Sequence, residues 1–353
     1  MRRVTVLMSV YRAASTVAAA TDSILNQTFG DFEFLIIDNG AAIDGTSAVL
    51  NTHLQLRNDP RIKLIVLPEN NGLAAALNEG LAQASAPLIA RMDADDIALP
   101  QRLEKQVRIF EQNLRLGALG SDVTFIDVHG NIFGRGRYPV GAKENIAYLK
   151  RASSLAHPAV MMRRNAVLKV GGYRPAFENA EDYDLWLRLA DHGYEIDNIP
   201  EVLLFYRLHG ANTSQTKRRE QALRAWLARA FHVMRSRDMP DPEFENHPLD
   251  ESALSLVAED LKQSFDIEML ELMSAQLSLQ DESELHNIVG EVRKLQLQGS
   301  ELKPAARILL RAALGFARNK NYLQAGKAFL AALSYDVPEI ARMMAAKAAG
   351  LFR

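Results

Sequence analysis

The sequence of 353 residues contains no cysteine, only two tryptophans, and no large excess of charge of either sign. The missing cysteines exclude disulfides, thiolate catalysis and cysteine-ligated zinc. A formal net charge of −2 gives no global reason to expect nucleic acid as a partner. No run approaches the roughly 18–20 uninterrupted apolar residues of a membrane span, and the apolar run near the N-terminus is too short for a signal peptide. These absences predict a cytoplasmic protein that does not bind nucleic acid.

Hydrophobic periodicity divides the chain into two parts. Up to about residue 215, short apolar runs typical of buried strands alternate with helical patterns, beginning with Val4–Val10. From residue 216 onward the strand signals disappear and helical spacing continues to the end. We therefore predict an α/β domain over residues 1–215, with a mostly parallel sheet covered by helices on both faces, and a helical region over residues 216–353.

Two phosphate-binding signatures are missing from the α/β part. The first predicted strand is followed neither by the Gly-x-Gly-x-x-Gly turn of dinucleotide-binding folds nor by a Walker-type loop. This argues against a nicotinamide or flavin enzyme. It leaves the polar groups at the carboxyl ends of the predicted strands as the candidate site, because ligands of such sheets bind there.

The most distinctive of these polar groups is the run Asp93-Ala94-Asp95-Asp96, which follows the apolar segment 88–92. Carboxylates this close repel one another, and a cation among them relieves the repulsion. Carboxylate oxygens suit Mg²⁺ or Mn²⁺ that also carries phosphate oxygens. The alternative is an Asp-rich turn that caps the helix starting near Pro100. The run by itself leaves both interpretations open.

Eight blocks of sequence, taken together and in this order, resemble one family. They are SVYR at 9–12, IIDNG…DGT at 36–46, NNGLAAALN at 70–78, RMDADDIALPQRLEKQ at 91–106, HPAVM at 157–161, GGY at 171–173, EDYDLWLRL at 181–189 and YRLH at 206–209. The family is that of the nucleotide-sugar glycosyltransferases with the GT-A fold, specifically the large inverting family 2. The resemblance covers about residues 3–215 and implies a Rossmann-like sheet and a Mn²⁺ or Mg²⁺ cofactor.

The resemblance implies a donor site for a nucleoside-diphosphate sugar. It places Asp95 as the direct metal ligand, Asp93 near the ribose or a metal-bound water, and His209 close to the metal or the diphosphate. Asn39 departs from the family, which usually has a second acidic residue there. An Asn oxygen still accepts from the uracil N3–H, so a UDP-sugar stays possible and is favoured, but Asn39 weakens the case for UDP over dTDP or GDP. The residues implied in nucleotide binding are Ser9, Tyr11, Asp38, Asn39, Asn71, Gly72, Arg91 and Asp93.

The resemblance also implies a base for the acceptor hydroxyl, because an inverting transfer is a single displacement. Asp182 matches the family's base, Glu181 is expected to position the hydroxyl, and Asp184 is the fallback. Their place at a helix N-terminus predicts a lowered pKa for the base. Three further residues stay open between ligand contact and a structural role: Asn78, His157 and Arg207.

The acceptor implied by the family is a glycan or lipid-linked saccharide in bacterial surface-polysaccharide synthesis. The alternative from another functional class is a non-catalytic nucleotide-sugar-binding or scaffold protein of the same fold. For residues 216–353 three roles stay open: packing on the catalytic domain, docking of a protein, which includes a second copy of the chain, and peripheral contact with the inner face of the plasma membrane. Packing or homo-oligomerisation is favoured over the membrane. The membrane contact rests on a basic amphipathic C-terminal end, from Arg342 to Arg353.

Overall fold

The computed structural model describes residues 2–40, 44–208, 215–244, 249–262 and, towards the C-terminus, 286, 288–290, 292, 302–336, 338–340 and 343. The predicted metal ligand His209 therefore lies outside the described residues. The chain divides into two compact units, Met1–Ser252 and Ala253–Arg353. This division lies well beyond the boundary that the sequence pattern predicted at residue 215.

The first unit begins with the alternation of strands and helices that the sequence predicts. In chain order its elements are β1 (Val4–Val10), α1 (Val17–Leu25), β2 (Phe32–Asn39), α2 (Thr46–Arg57), β3 (Ile62–Leu67), α3 (Leu73–Gln83) and β4 (Leu88–Asp93). The four strands pair in parallel in the order β3-β2-β1-β4. Ser9 of β1 lies opposite Asp93 of β4, and Val10 lies opposite Asp38 of β2. The polar ends of three strands therefore meet at one edge of the sheet.

The rest of the first unit extends this sheet to nine strands among the described residues, with both parallel and antiparallel pairs. Its elements are β5 (Ile97–Ala98), α4 (Arg102–Gln112), β6 (Leu116–Ile126), β7 (Ile132–Gly136), α5 (Ala142–Leu149), β8 (Met161–Arg163), α6 (Arg164–Lys169), α7 (Glu181–Asp191), β9 (Glu195–Arg207) and α8 (Gln215–Arg235). The sheet order continues β4-β8-β6-β9-β5, and β7 pairs with β6. The predicted fold class, an α/β fold with a mostly parallel sheet followed by a helical region, is confirmed.

Strands β6 and β9 are longer than we predict from the sequence. The apolar pattern places them only over residues 123–127 and 202–206. Gly117 and Gly120 weaken the strand signal of β6, because glycine is disfavoured in strands. Both glycines allow close packing instead. A Cβ atom at Gly120 would lie 2.3 Å from Asn198 Oδ1 of β9, with which β6 pairs.

Helix α8 belongs to the first unit. Phe231 on α8 packs edge-on against Phe177, with ring centroids 6.0 Å apart. The Arg224 side chain donates to the carbonyl oxygens of Glu178 and Leu249, at 3.0 and 2.9 Å. These contacts fix the segment that precedes α7.

The second unit contains two described helices of some length, α9 (Leu302–Arg318) and α10 (Tyr322–Tyr335). The sequence predicts both, over the slightly shorter ranges 308–318 and 322–333. Asn321 caps α10 by accepting from the backbone N–H of Gln324 at 3.4 Å. In the described part of the chain, no helix is long and apolar enough to cross a membrane. Most of the basic amphipathic end predicted from Arg342 onward lies outside the described residues.

Candidate active site

The acidic turn after β4 gathers three carboxylates. Each of Asp93, Asp95 and Asp96 offers an oxygen within 4.8 Å of the other two. Burial raises the pKa of Asp96 well above its ordinary value, and the charges of Asp93 and Asp95 raise it further. Asp96 Oδ2 is buried and accepts no hydrogen bond from the described residues. A close set of three carboxylates fits a divalent cation such as Mg²⁺ or Mn²⁺.

Two arginines hold this turn in place. Arg91 Nη1 lies 2.5 Å from Asp93 Oδ2. The backbone N–H of Arg207 donates to Asp96 Oδ1 at 2.7 Å, and its Nε donates to the carbonyl oxygen of Asp95 at 2.8 Å. The Arg207 guanidinium thus supports the backbone of the turn. This geometry favours the structural interpretation of Arg207 that the sequence left open.

A cavity of 390 Å³ opens beside the acidic turn, at the carboxyl edge of the sheet. Its volume is typical of pockets for small molecules and cofactors. Tyr11 is 39% exposed there, and the Arg12 guanidinium lies 5.3 Å from its ring centroid. Of the residues predicted from the sequence, the cavity brings together Ser9, Tyr11, Asn39, Gly72, Asp93 and Asp95.

Asn39 shapes this cavity through the loop 70–72. Its Nδ2 donates to Asn70 Oδ1 at 3.1 Å and to the Gly72 carbonyl oxygen at 3.2 Å, while its Oδ1 accepts from Asn71 N at 3.4 Å. Aspartate offers no N–H at this position. The two hydrogen bonds that Asn39 donates therefore give a local physical reason for asparagine in place of the acidic residue usual in the family.

Three other residues predicted to bind the nucleotide are not in the lining of the cavity: Asp38, Asn71 and Arg91. Asp38 is 1% exposed, and its Oδ1 accepts no hydrogen bond from the part of the chain that the structure describes. Arg91 is buried against Asp93. Their contact with a nucleotide stays a prediction.

Glu181 and Asp182 form the first turn of α7. The backbone N–H of Tyr183 donates to Asp182 Oδ1 at 2.7 Å. Burial nevertheless raises the pKa of Asp182, and this effect outweighs that hydrogen bond and the charge of Arg91. The expectation of a lowered pKa was wrong, because the loss of solvation exceeds the effect of the helix N-terminus. Burial, with the charge of Asp182, also raises the pKa of Glu181 to about 7.

The acidic turn and the start of α7 surround one guanidinium. Four carboxyl groups lie near the charge of Arg91: Asp93, Asp96, Glu181 and Asp182. Burial raises the pKa of each, and the positive charge of Arg91 lowers it in part. The candidate metal-binding turn and the carboxyl groups at the start of α7 therefore lie close to the same buried positive charge.

Three residues contact structural partners: Asp184, the alternative base, and Asn78 and His157, whose roles the sequence left undecided. Arg188 donates to Asp184 Oδ2 through Nε at 2.9 Å and through Nη2 at 2.7 Å, and Asp184 is completely buried. Asn78 pairs its side-chain amide with the backbone of Tyr173. His157 Nε2 lies 2.8 Å from Tyr173 Oη, and burial lowers its pKa well below the ordinary value, so the imidazole is neutral.

The cavity also includes residues that the sequence did not single out, among them Thr16, Asn70 and Glu178. Asn70 belongs to the same Asn-Asn-Gly turn as Asn71 and Gly72, so the turn signal could have indicated it. Glu178 precedes the acidic pair of α7 by a few residues. It is brought to the cavity by the contacts of its backbone with Arg224 on α8.

The amino-acid sequence of this chain is similar to those of known glycosyltransferases. The family model described as glycosyl transferase family 2 matches residues 5–171. The O-antigen biosynthesis glycosyltransferase WbnJ of Escherichia coli is 39% identical over 215 residues, covering 60% of this chain and 82% of the relative. The UDP-Gal:alpha-D-GlcNAc-diphosphoundecaprenol beta-1,3-galactosyltransferase of Escherichia coli is 32% identical over 204 residues, covering 57% of this chain and 73% of that enzyme.

The fold is also found among solved structures. The mannosyltransferase PcManGT from Pyrobaculum calidifontis, solved with GDP-Man and Mn²⁺, superposes with a TM-score of 0.52 at 17% identity. The match covers 94% of this chain and 88% of that protein. At this identity the likeness concerns the fold alone.

Proposed function

Because this chain belongs to glycosyl transferase family 2, we propose that it transfers a sugar from a nucleoside diphosphate to a hydroxyl group of a glycan or lipid-linked acceptor. We favour a UDP-sugar as donor, inversion at the anomeric carbon, and a role in bacterial surface-polysaccharide synthesis. One observation carries the proposal. The 390 Å³ cavity has an exposed aromatic ring, Tyr11, and two carboxylates of the acidic turn, Asp93 and Asp95, in its wall.

The names of the relatives support the finer parts of this proposal. WbnJ is named for O-antigen biosynthesis, and the galactosyltransferase is named for UDP-Gal and a diphosphoundecaprenol-linked acceptor. The mannosyltransferase of similar fold was solved with a nucleotide sugar and Mn²⁺. These relatives cover more than one base and sugar, and we choose UDP because the galactosyltransferase, 32% identical to this chain, is named for UDP-Gal.

Asp93, Asp95 and Asp96 would hold the Mn²⁺ or Mg²⁺ ion. When bound, such an ion acts as a Lewis acid that neutralises the charge of the departing diphosphate. The rest of the donor site would position the substrate. Tyr11 offers an aromatic face to a pyrimidine ring, and the loop held by Asn39 lines the same cavity.

Asp182 would accept the proton of the acceptor hydroxyl. The hydroxyl oxygen forms a bond to the anomeric carbon while the bond from that carbon to the diphosphate breaks, and the proton moves to an oxygen of Asp182. Burial raises the pKa of Asp182, which strengthens it as a base relative to an exposed aspartate. Glu181, whose pKa is raised to about 7, would position the hydroxyl by a hydrogen bond.

The alternative of a non-catalytic sugar-nucleotide-binding or scaffold protein depended on Asn39 and on the truncated acidic block as signs of degeneration. The contacts of Asn39 with the loop 70–72 remove the first of these signs. The chain also retains both Asp95 and Asp182. We therefore do not favour this alternative.

A thermal-shift panel of nucleoside diphosphates and their sugars, each with and without Mn²⁺, tests the proposal. Ligand at about 100 times its Kd should raise the melting temperature of the wild-type chain by about 5–10 °C. Asp95→Ala should lose the Mn²⁺-dependent part of this shift. The matched control is Asp31→Ala, a surface carboxylate away from the cavity, which should behave as wild type.

Two results would contradict the proposal. One is a wild-type chain that no nucleoside diphosphate stabilises in the presence of Mn²⁺ or Mg²⁺. The other is an Asp95→Ala variant that keeps the full metal-dependent shift, which would remove Asp95 from the metal site.

A further inference from the structure

The turn that follows β1 brings a basic side chain to the cavity of the candidate site. Tyr11 and Arg12 come directly after Val10, the last residue of β1, and both line the cavity. The other described residues of the lining are neutral or acidic, so Arg12 is the basic residue among them. Because a nucleoside diphosphate is an anion, a basic group in this lining is a candidate for binding it.

Arg12 has a backbone conformation that is unfavourable for its residue type. Its φ is 51°, in the left-handed region that residues other than Gly, Asn and Asp rarely adopt. The following residue is held in place, because the Ala13 N–H donates to Thr46 Oγ1 at 2.9 Å and the Ala13 carbonyl oxygen accepts from Val17 N at 2.9 Å. A glycine at position 12 would relieve the strain. An arginine in this conformation indicates that its side chain is used, since strained backbone is concentrated at functional sites.

The side chain of Arg12 does not hold the fold together. It is exposed and makes neither an ion pair nor a hydrogen bond with the part of the chain that the structure describes. Its guanidinium lies 5.3 Å from the centroid of the Tyr11 ring. A cation–π contact at an exposed site is weaker than a charge-assisted hydrogen bond between a guanidinium and a phosphate. A phosphate within reach therefore draws the guanidinium from the ring and leaves that face of Tyr11 to a base.

The order of the strands places Arg12 between the two ends of the donor. Strand β1 lies between β2, which carries Asn39, and β4, which carries Asp93. In the proposed donor site, the base lies on the side of Asn39 and the metal ion on the side of Asp93 and Asp95. The part of the donor that joins the base to the metal ion must cross the end of β1, where Arg12 lies.

The charges of the lining leave the diphosphate in need of a positive partner. The described lining contains three acidic side chains, Asp93, Asp95 and Glu178. A divalent ion offsets the charges of the two aspartates, and the diphosphate then adds further negative charge. Arg91 is buried against Asp93 and is not in the lining. Arg12 is therefore placed to supply the positive charge that the diphosphate requires.

We propose that Arg12 binds the diphosphate of the donor and makes the site select nucleoside diphosphates over nucleosides. Its guanidinium donates N–H groups to phosphate oxygens in the bidentate geometry that arginine and phosphate form. The proposal rests on the proposed function, because it assigns one more residue of that donor site. It concerns binding alone, so it is tested without an acceptor and without turnover.

The test measures the dissociation constants of uridine and UDP for the full chain in the presence of Mn²⁺. Arg12→Gln should weaken UDP binding by about 10–100-fold and uridine binding by less than about twofold, because only UDP carries the diphosphate. Arg12→Lys keeps the charge without the bidentate geometry and should lie between Arg12→Gln and the wild type. The matched control is Lys320→Gln, at an exposed basic residue of the second unit that also has a positive φ, of 61°. It should bind both ligands as the wild type does.

A second variant makes the test independent of misfolding. Arg12→Gly relieves the left-handed backbone, so it should raise the melting temperature without ligand by about 1–4 °C and still weaken UDP binding as much as Arg12→Gln does.

Three results would overturn the assignment of Arg12. They are an Arg12→Gln variant that binds UDP as tightly as the wild type, equal losses of uridine and UDP binding, and an Arg12→Gly variant that melts below the wild type, because Arg12 would then serve the fold. A wild-type chain that does not bind UDP overturns the assignment together with the donor on which it rests, and is thereby distinguished from these three.

Discussion

Asp182 is a carboxylate whose surroundings favour the form that holds a proton. Burial raises its pKa despite a hydrogen bond from Tyr183 N and the nearby charge of Arg91. Asp182→Asn should therefore lower turnover by about 10²–10⁴-fold, because the proton of the acceptor then has no base. The Mn²⁺-dependent thermal shift with the donor nucleotide should remain, since Asp182 belongs to α7 and not to the acidic turn. Normal turnover in this variant would refute the assignment of the base.

Glu181 makes the stability of the chain depend on pH. Its pKa is raised from 4.5 to about 7 in the folded protein, so the folded state keeps this proton to higher pH than the unfolded chain does. Wild-type stability should therefore fall as pH rises from about 4.5 to about 7, and stay lower above that range. Glu181→Gln does not titrate and should be more stable than wild type at pH 8, by about 1–3 kcal/mol.

Urea unfolding of both proteins at several pH values measures this difference. The gain should shrink as pH falls and disappear near pH 4.5, the ordinary pKa of the group. Glu69→Gln, on an exposed side chain, is the control and should show no such trend. Parallel pH profiles of the wild type and the Glu181 variant would contradict the prediction.

The residues differ in how far the sequence could predict their role. The carboxylates of the acidic turn follow a strand in the chain itself, so their local pattern already indicated a site. Asn39 and Asp184 could not be interpreted in this way. Asn39 contacts a loop from another part of the chain. Asp184 is paired with Arg188, one helical turn away, and other elements bury that charge.

At the level of elements, Arg188 fixes helix α7, and Asp184 one turn earlier in the same helix balances its charge. Arg188 is 1% exposed and also donates to the carbonyl oxygens of Val170 and Gly172, at 2.5 and 2.8 Å. These bonds join α7 to the Gly-Gly turn before it, and so they set the place of Asp182.

Asp184→Asn should lower the free energy of unfolding by about 3–5 kcal/mol, because it leaves the buried charge of Arg188 without its partner. Urea unfolding at neutral pH measures the change. Glu201→Gln removes the exposed partner of Lys105 and should cost only about 0–1 kcal/mol. Equal effects in the two variants would show that burial does not strengthen the pair at α7.

The strands illustrate where pattern reasoning is sufficient. Strands β1 and β3 begin and end where the apolar runs at residues 4–10 and 62–67 predict, because local hydrophobicity sets their bounds. Strands β6 and β9 extend beyond their apolar runs. Their extra residues pair with each other across a long stretch of chain, and the glycines of β6 are used for close approach to β9.

At the level of the whole molecule, the first unit includes α8. Trp226 and Phe231 on this helix are 3% and 0% exposed, and Phe231 packs against Phe177 just before α7. A boundary at residue 215 would remove these side chains and expose the surface beneath them.

A chain ending at Ser252 should therefore unfold cooperatively and keep the nucleotide- and Mn²⁺-dependent thermal shift. A chain ending at residue 214 should melt at a lower temperature or aggregate, because it exposes the apolar surface that α8 covers. Thermal unfolding followed by circular dichroism compares the two. If both melted alike, α8 would not be part of the first unit's core.

The order of the first four strands with the helices between them, the polar strand ends, the acidic run and the family could all be predicted from the sequence, because each depends on residues that are near one another in the chain. The tertiary structure decided which carboxylates are buried, that Asn39 holds a loop, that the pKa of Asp182 is raised, and how far β6 and β9 extend. These properties depend on burial and pairing between segments far apart in the chain, and no local pattern records which segments meet.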